Sequence, residues 1–150
     1  MPLTKRLLPP DYLTIYFIMA LVLSFIFPGL RIIDYPYNYL GIFLMLPGGI
    51  LNIWADQVFK HVQTTVKPFQ KPAQLVDRPP YNFSRHPMYV GFIAILLGWA
   101  IILGNILAFF APLLMYITLS RLFIPFEEQQ LNSVFGTRYQ NYQHRVHKWL

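Results

Sequence analysis

The chain has 150 residues, is 55% hydrophobic and only 12% charged, and carries +6 at neutral pH with no cysteine. That balance excludes an ordinary soluble globule and a disordered chain. The missing cysteine excludes disulfides, thiolate zinc sites, iron–sulfur clusters and thiol nucleophiles. Basic composition is often a sign of nucleic acid as partner. Here the basic residues cluster at the ends of apolar blocks, so anionic lipid headgroups are the expected partner and nucleic acid is not.

In chain order, the first apolar block is 12–30, uncharged inside. Lys5 and Arg6 precede it as they would in a signal peptide, but the run is too long and lacks a small-residue cleavage site, so a retained helix is expected. The second block is 39–55, the third 88–103 and the fourth 106–124. A spanning helix needs roughly 20 apolar residues, so the third is short. Gly104-Asn105 alone separates it from the fourth, which predicts a tight helical hairpin over 88–124. The expected fold is all-α: a single polytopic membrane domain with about four transmembrane helices.

Orientation follows the positive-inside rule. Four spans place the N-terminus, the loop 56–87 and the tail 125–150 on one side, with every Lys and Arg except Arg31. Both termini are therefore expected in the cytoplasm.

The loop is broken by Pro68, Pro72, Pro79 and Pro80 and ends in Tyr81-Asn82-Phe83-Ser84-Arg85-His86-Pro87. Pro87 suits the first turn of the third helix, whose free amides attract a carboxylate or phosphate beside Arg85 and His86. Gly91 allows close approach by a ligand or a neighbouring helix. In the tail, Glu127 and Glu128 are the only glutamates and follow Pro125 directly at the membrane surface. Leu131, Phe135, Tyr139 and Tyr142 form one apolar face of a cytoplasmic amphipathic helix, able to lie on the membrane or cover the loop. Asn52 is a polar residue inside the second block, suited to an interhelical hydrogen bond or to a cofactor or substrate cavity. Trp54 and Trp149 suit interfacial anchors. His144 and His147 have a metal-compatible spacing but no third ligand nearby, and no metal is expected.

Arg85-His86-Pro87-Met88-Tyr89-Val90-Gly91 and Glu127-Glu128-x-x-Leu131-x-x-x-Phe135-Gly136-x-x-Tyr139-x-x-Tyr142 resemble the motifs of the isoprenylcysteine carboxyl methyltransferases and related phospholipid N-methyltransferases. Thr65-Val66-x-Pro68, Leu75-Val76 and Pro80-Tyr81 are also similar to that family, while Pro79 replaces its usual glycine. The resemblance implies an integral-membrane enzyme that uses S-adenosylmethionine and a lipid-like acceptor, in a minimal version from a prokaryotic cytoplasmic membrane. It implies a cofactor site drawn from Tyr81, Arg85, His86, Pro87, Tyr89, Gly91, Glu127, Glu128 and Tyr139. The cofactor's carboxylate suits the helix N-terminus with Arg85 or His86, and its ammonium suits Glu128 over Glu127. Tyr81, Tyr89, Phe135 and Tyr139 are candidates for the adenine wall. Arg85 is the expected catalytic residue and, with Asn52, the expected substrate contact. The chain shows no buried His–Asp pair to serve as a base, which favours a prenylcysteine-like carboxylate acceptor over a phospholipid amine. Alternatives are an NADPH-dependent enzyme of the sterol-reductase type and a non-catalytic lipid-binding protein; a homo-oligomer is left open.

Overall fold

A computed structural model describes residues 7–62 and 73–150. Lys5, Arg6, Lys67, Lys71 and the Thr65-Val66-x-Pro68 match lie outside the described residues. Within them the chain is all-α: α1 (Pro9–Ile26), α2 (Ile42–His61), α3 (Pro87–Leu103), α4 (Phe110–Thr118), α5 (Ile124–Phe135) and α6 (Thr137–Arg145).

Three segments are long and apolar enough to cross a bilayer: Pro9–Ile26, Tyr37–His61 and Ile106–Phe135. The fourth, α3, has 17 residues and spans about 25 Å, short of a hydrocarbon core of about 30 Å. It occupies the middle of the bundle. Leu96 and Ala100 are fully enclosed there, whereas Phe25 of α1 and Phe43 of α2 remain 86% and 74% exposed for lipid.

Prolines and glycines set the boundaries, and several differ from expectation. α1 starts at Pro9 and stops at Ile26, because Pro28 opens a short 3-10 turn, so the span is 9–26 and not 12–30. α2 runs on past residue 55 to His61, its last turn carrying the Asp56–Lys60 ion pair. The connecting loop is correspondingly shorter than 56–87. Gly104 ends α3 with φ +66, and Asn105 caps the next turn by accepting from the Leu107 amide while its own amide donates to the Phe27 carbonyl. The hairpin is as expected.

The helix does not stop at residue 124. A π-turn over Leu119–Phe123 carries it into α5, just where Pro125 would otherwise drive its ring into the preceding turn. Gly136, at φ +51, then breaks the expected tail helix into α5 and α6. The apolar face survives the break. Tyr139, Tyr142, Leu75 and Val146 form one buried cluster, with Leu131 and Phe135 against it. That face therefore covers the loop. Trp149 packs on the main core, its ring 5.1 Å from that of Tyr116.

Candidate functional site

The site forms where the start of α3 meets the start of α5. Pro87 begins α3, so Arg85 and His86 sit on the turn leading into it, and α5 brings Glu127 and Glu128 across from them. Arg85 Nη1 lies 2.8 Å from Glu128 Oε1, with side chains only 11% and 16% exposed. His86 lies between the two carboxylates, Nδ1 3.4 Å from Glu127 and Nε2 3.4 Å from Glu128. The Tyr89 hydroxyl, one turn along, donates to Glu127, and its ring stacks on that of His86. Lys148 Nζ completes the cluster, 3.6 Å from Glu128 Oε2.

Burial opposes charge on His86, but its hydrogen bonds to Glu127 and Glu128, and their charges, outweigh it and raise its pKa above the usual histidine value. With an acceptor at each ring nitrogen, the imidazolium suits the site because both nitrogens then donate. The Arg85–Glu128 contact is close in distance yet poorly aligned. Arg85 Nε and Nη1 are buried without a hydrogen-bond acceptor among the described residues. A buried guanidinium with open donors beside two carboxylates is a donor set that fits an amino-acid zwitterion.

The α3 N-terminus offers less than expected. Ser84 Oγ takes the His86 amide and the His147 carbonyl takes the Arg85 amide. The Tyr89 and Val90 amides bond the His86 carbonyl, and Pro87 has no N–H. Glu127 and Glu128 are likewise not helix caps, since the backbone is already helical at Phe123.

Five expected site residues thus come together: Arg85, His86, Tyr89, Glu127 and Glu128. Tyr139 is buried beside them, within electrostatic reach of Glu128 and Arg85. Pro87 is buried and acts through the turn it starts. Tyr81 lies within electrostatic reach of Glu127 and Tyr89; its ring packs edge-on to Phe59, its hydroxyl donates to the Ala55 carbonyl, and its own carbonyl accepts from Tyr142. Burial raises the Tyr81 and Tyr142 phenol pKa values well above normal, so both remain donors at neutral pH. Phe135 and Tyr139 share the Leu75 cluster, Tyr89 joins the main core and Tyr81 packs with Ala55 and Val76.

Gly91 and Asn52 meet each other. A Cβ on Gly91 would stand 2.0 Å from Asn52 Nδ2, so this glycine admits a neighbouring helix. Asn52 bonds the Gly48 carbonyl of its own helix at 3.0 Å, and its Oδ1 lacks a partner among the described residues. Among those residues, no three His, Asp or Glu side chains form a group able to hold a metal. Lys148 and Ser84 are members that motif reading missed; Lys148 carries no local signal, since only the fold brings it to Glu128.

The phospholipid methyltransferase family matches residues 37–138. The chain is 32% identical over 142 residues to the Saccharomyces cerevisiae protein-S-isoprenylcysteine O-methyltransferase, covering 85% of this chain and 56% of that one. It is 36% identical over 97 residues to the Schizosaccharomyces pombe protein of that name, covering 63% and 39%. It is 28% identical over 132 residues to a probable protein-S-isoprenylcysteine O-methyltransferase of Oryza sativa subsp. indica, covering 85% and 67%. The chain spans about half the length of the yeast relatives it matches. The matched region runs from the turn before α2 into α6 and contains all five clustered residues, and the chain belongs to the phospholipid methyltransferase family, membrane methyltransferases whose methyl donor is S-adenosylmethionine.

Proposed function

We propose that the protein transfers a methyl group from S-adenosylmethionine to a lipid-like acceptor, with the donor's amino-acid end in the Arg85–Glu128 cluster. One observation carries the reading: an arginine whose Nε is buried without an acceptor and whose Nη1 is ion-paired to Glu128, set against two mostly buried carboxylates. A free carboxylate can take those donors, and a free ammonium can take Glu128, each replacing half of the internal ion pair. The bound donor supplies an electrophilic methyl on a sulfonium. His86 holds Glu127 and Glu128 apart from one another, and Tyr89 fixes Glu127. Arg85 has five N–H donors, enough to orient an acceptor carboxylate as well.

The site also bears on the choice between a carboxylate and an amine acceptor. His86 does form a buried contact with acids, which the sequence did not reveal. Its contacts with Glu127 and Glu128 favour the protonated ring, and a ring in that form has no lone pair with which to take a proton, so an acceptor that arrives already ionised still suits the site better. On the positive-inside rule we place this end of the bundle in the cytoplasm, with the acceptor reaching it from the bilayer.

The test is calorimetric titration of detergent-purified protein with S-adenosylhomocysteine, wild type beside Glu128→Ala and His86→Ala. Micromolar binding in the wild type, lost in either variant, is the expected result. No binding by a folded, monodisperse wild type overturns the reading.

A further inference from the structure

The segment after α6 crosses the site. Val146 is buried in the Tyr139–Tyr142 cluster, and Trp149 is docked on Tyr116 of α4. Between these two anchors the backbone runs along the turn that carries Arg85 and His86. The Arg85 amide donates to the His147 carbonyl at 2.9 Å. Ser84 Oγ donates to the Lys148 carbonyl at 3.4 Å and accepts from the His86 amide at 3.1 Å. Ser84 is itself 2% exposed. The turn has no regular secondary structure of its own, so these main-chain contacts fix its path.

We infer that Trp149 is a positioning residue: by docking on Tyr116 it holds residues 146–149 against the Ser84–His86 turn, and so sets the aim of Arg85 and His86. The inference rests on the proposed cofactor site and extends it to a residue that packs on Tyr116 and the main core. The link runs through carbonyls, so the identity of the His147 side chain is immaterial while the anchor at Trp149 is not. The anchor works by ring packing, so another aromatic ring supports it.

Two measurements on the full chain test this. In the first, S-adenosylhomocysteine is titrated well below the melting temperature. Trp149→Ala is expected to raise Kd about tenfold, the scale of one lost hydrogen bond to a positioned group. Trp149→Phe recovers most of that loss, and His147→Ala binds as wild type does. In the second, hydrogen exchange is followed without ligand, and the Arg85 amide exchanges faster in Trp149→Ala than in wild type. A folded Trp149→Ala with wild-type affinity, or with unchanged exchange at Arg85, overturns the proposal. A wild type that does not bind S-adenosylhomocysteine overturns the cofactor reading instead, and the exchange measurement still decides the role of Trp149. Should Trp149→Ala not fold, Ser84→Ala breaks one link without opening the α4 contact; it is expected to weaken binding about threefold, and unchanged binding counts against the strap.

Discussion

Helix α3 makes two contacts of opposite character. Along its length it meets α2 backbone to backbone: a Cβ on Gly98 would stand 2.4 Å from the Gly41 carbonyl oxygen, and one on Gly48 would stand 2.9 Å from that of Gly91. At its start it meets α5 through polar and charged side chains, at 2.8 to 3.4 Å. Carbonyls in a helix cannot swing aside, so the first contact admits one geometry. Carboxylates and guanidinium groups can exchange partners, so the second admits a ligand. The difference assigns folding to one contact and binding to the other.

Substitutions that respect this division should separate stability from affinity. The largest effect is expected from Gly98→Ala, which forces the helices apart. We expect a loss of about 3 kcal/mol, read as a collapse of the melting temperature in detergent. Gly49→Ala is its control: it lies next to Gly48 but has nothing within 4 Å of the added Cβ, and should melt as wild type does. Equal melting of Gly98→Ala and Gly49→Ala would break the comparison. Arg85→Met comes second. It leaves Glu128 facing His86 and Lys148 only, and we expect it to cost about 2 kcal/mol, below the full value for a buried pair because both side chains keep some exposure. Binding of S-adenosylhomocysteine should be lost at temperatures where the variant is folded. Retained affinity would remove Arg85 from the site.

The same division explains what the sequence disclosed. The hairpin was legible because Gly104-Asn105 is local chemistry, and the pairing of Arg85 and His86 with Glu127 and Glu128 followed from two short motifs that imply a shared site. The continuation of the fourth span through Pro125 was not legible, since a π-turn that absorbs a proline depends on the packing around it. Nor was the break at Gly136 within an apolar face, because Tyr139 and Tyr142 keep helical spacing across it. Gly91 was open to two readings, and only its neighbour Asn52, 39 positions away in Gly91's numbering and brought close by the packing of α2 on α3, decides for a helix contact. Lys148, Ser84 and Trp149 act across long sequence separations, which no local pattern encodes.

The smallest effect sharpens the comparison most, because it asks how the exchangeable contact is charged. His86 is faced by Glu127, Glu128 and Tyr89, with Arg85 beside it on the turn. Burial acts against its charged form, yet the two glutamates raise its pKa above 6.5. A group whose folded-state pKa is raised stabilises the fold fully below its unfolded value and loses that contribution as pH rises through the folded one. The stability of the wild type over His86→Gln should therefore be fully present below about pH 6.5 and shrink as the pH rises through the raised folded-state value. Melting temperatures of the two proteins across that range give the difference directly. Gly49→Ala should follow the wild-type curve throughout, since its added Cβ has nothing within 4 Å. A difference that stays flat, or that grows with pH, would mean a neutral imidazole between the carboxylates. His86 would then be able to accept a proton at neutral pH, and the case for an acceptor that arrives already ionised would lose its footing.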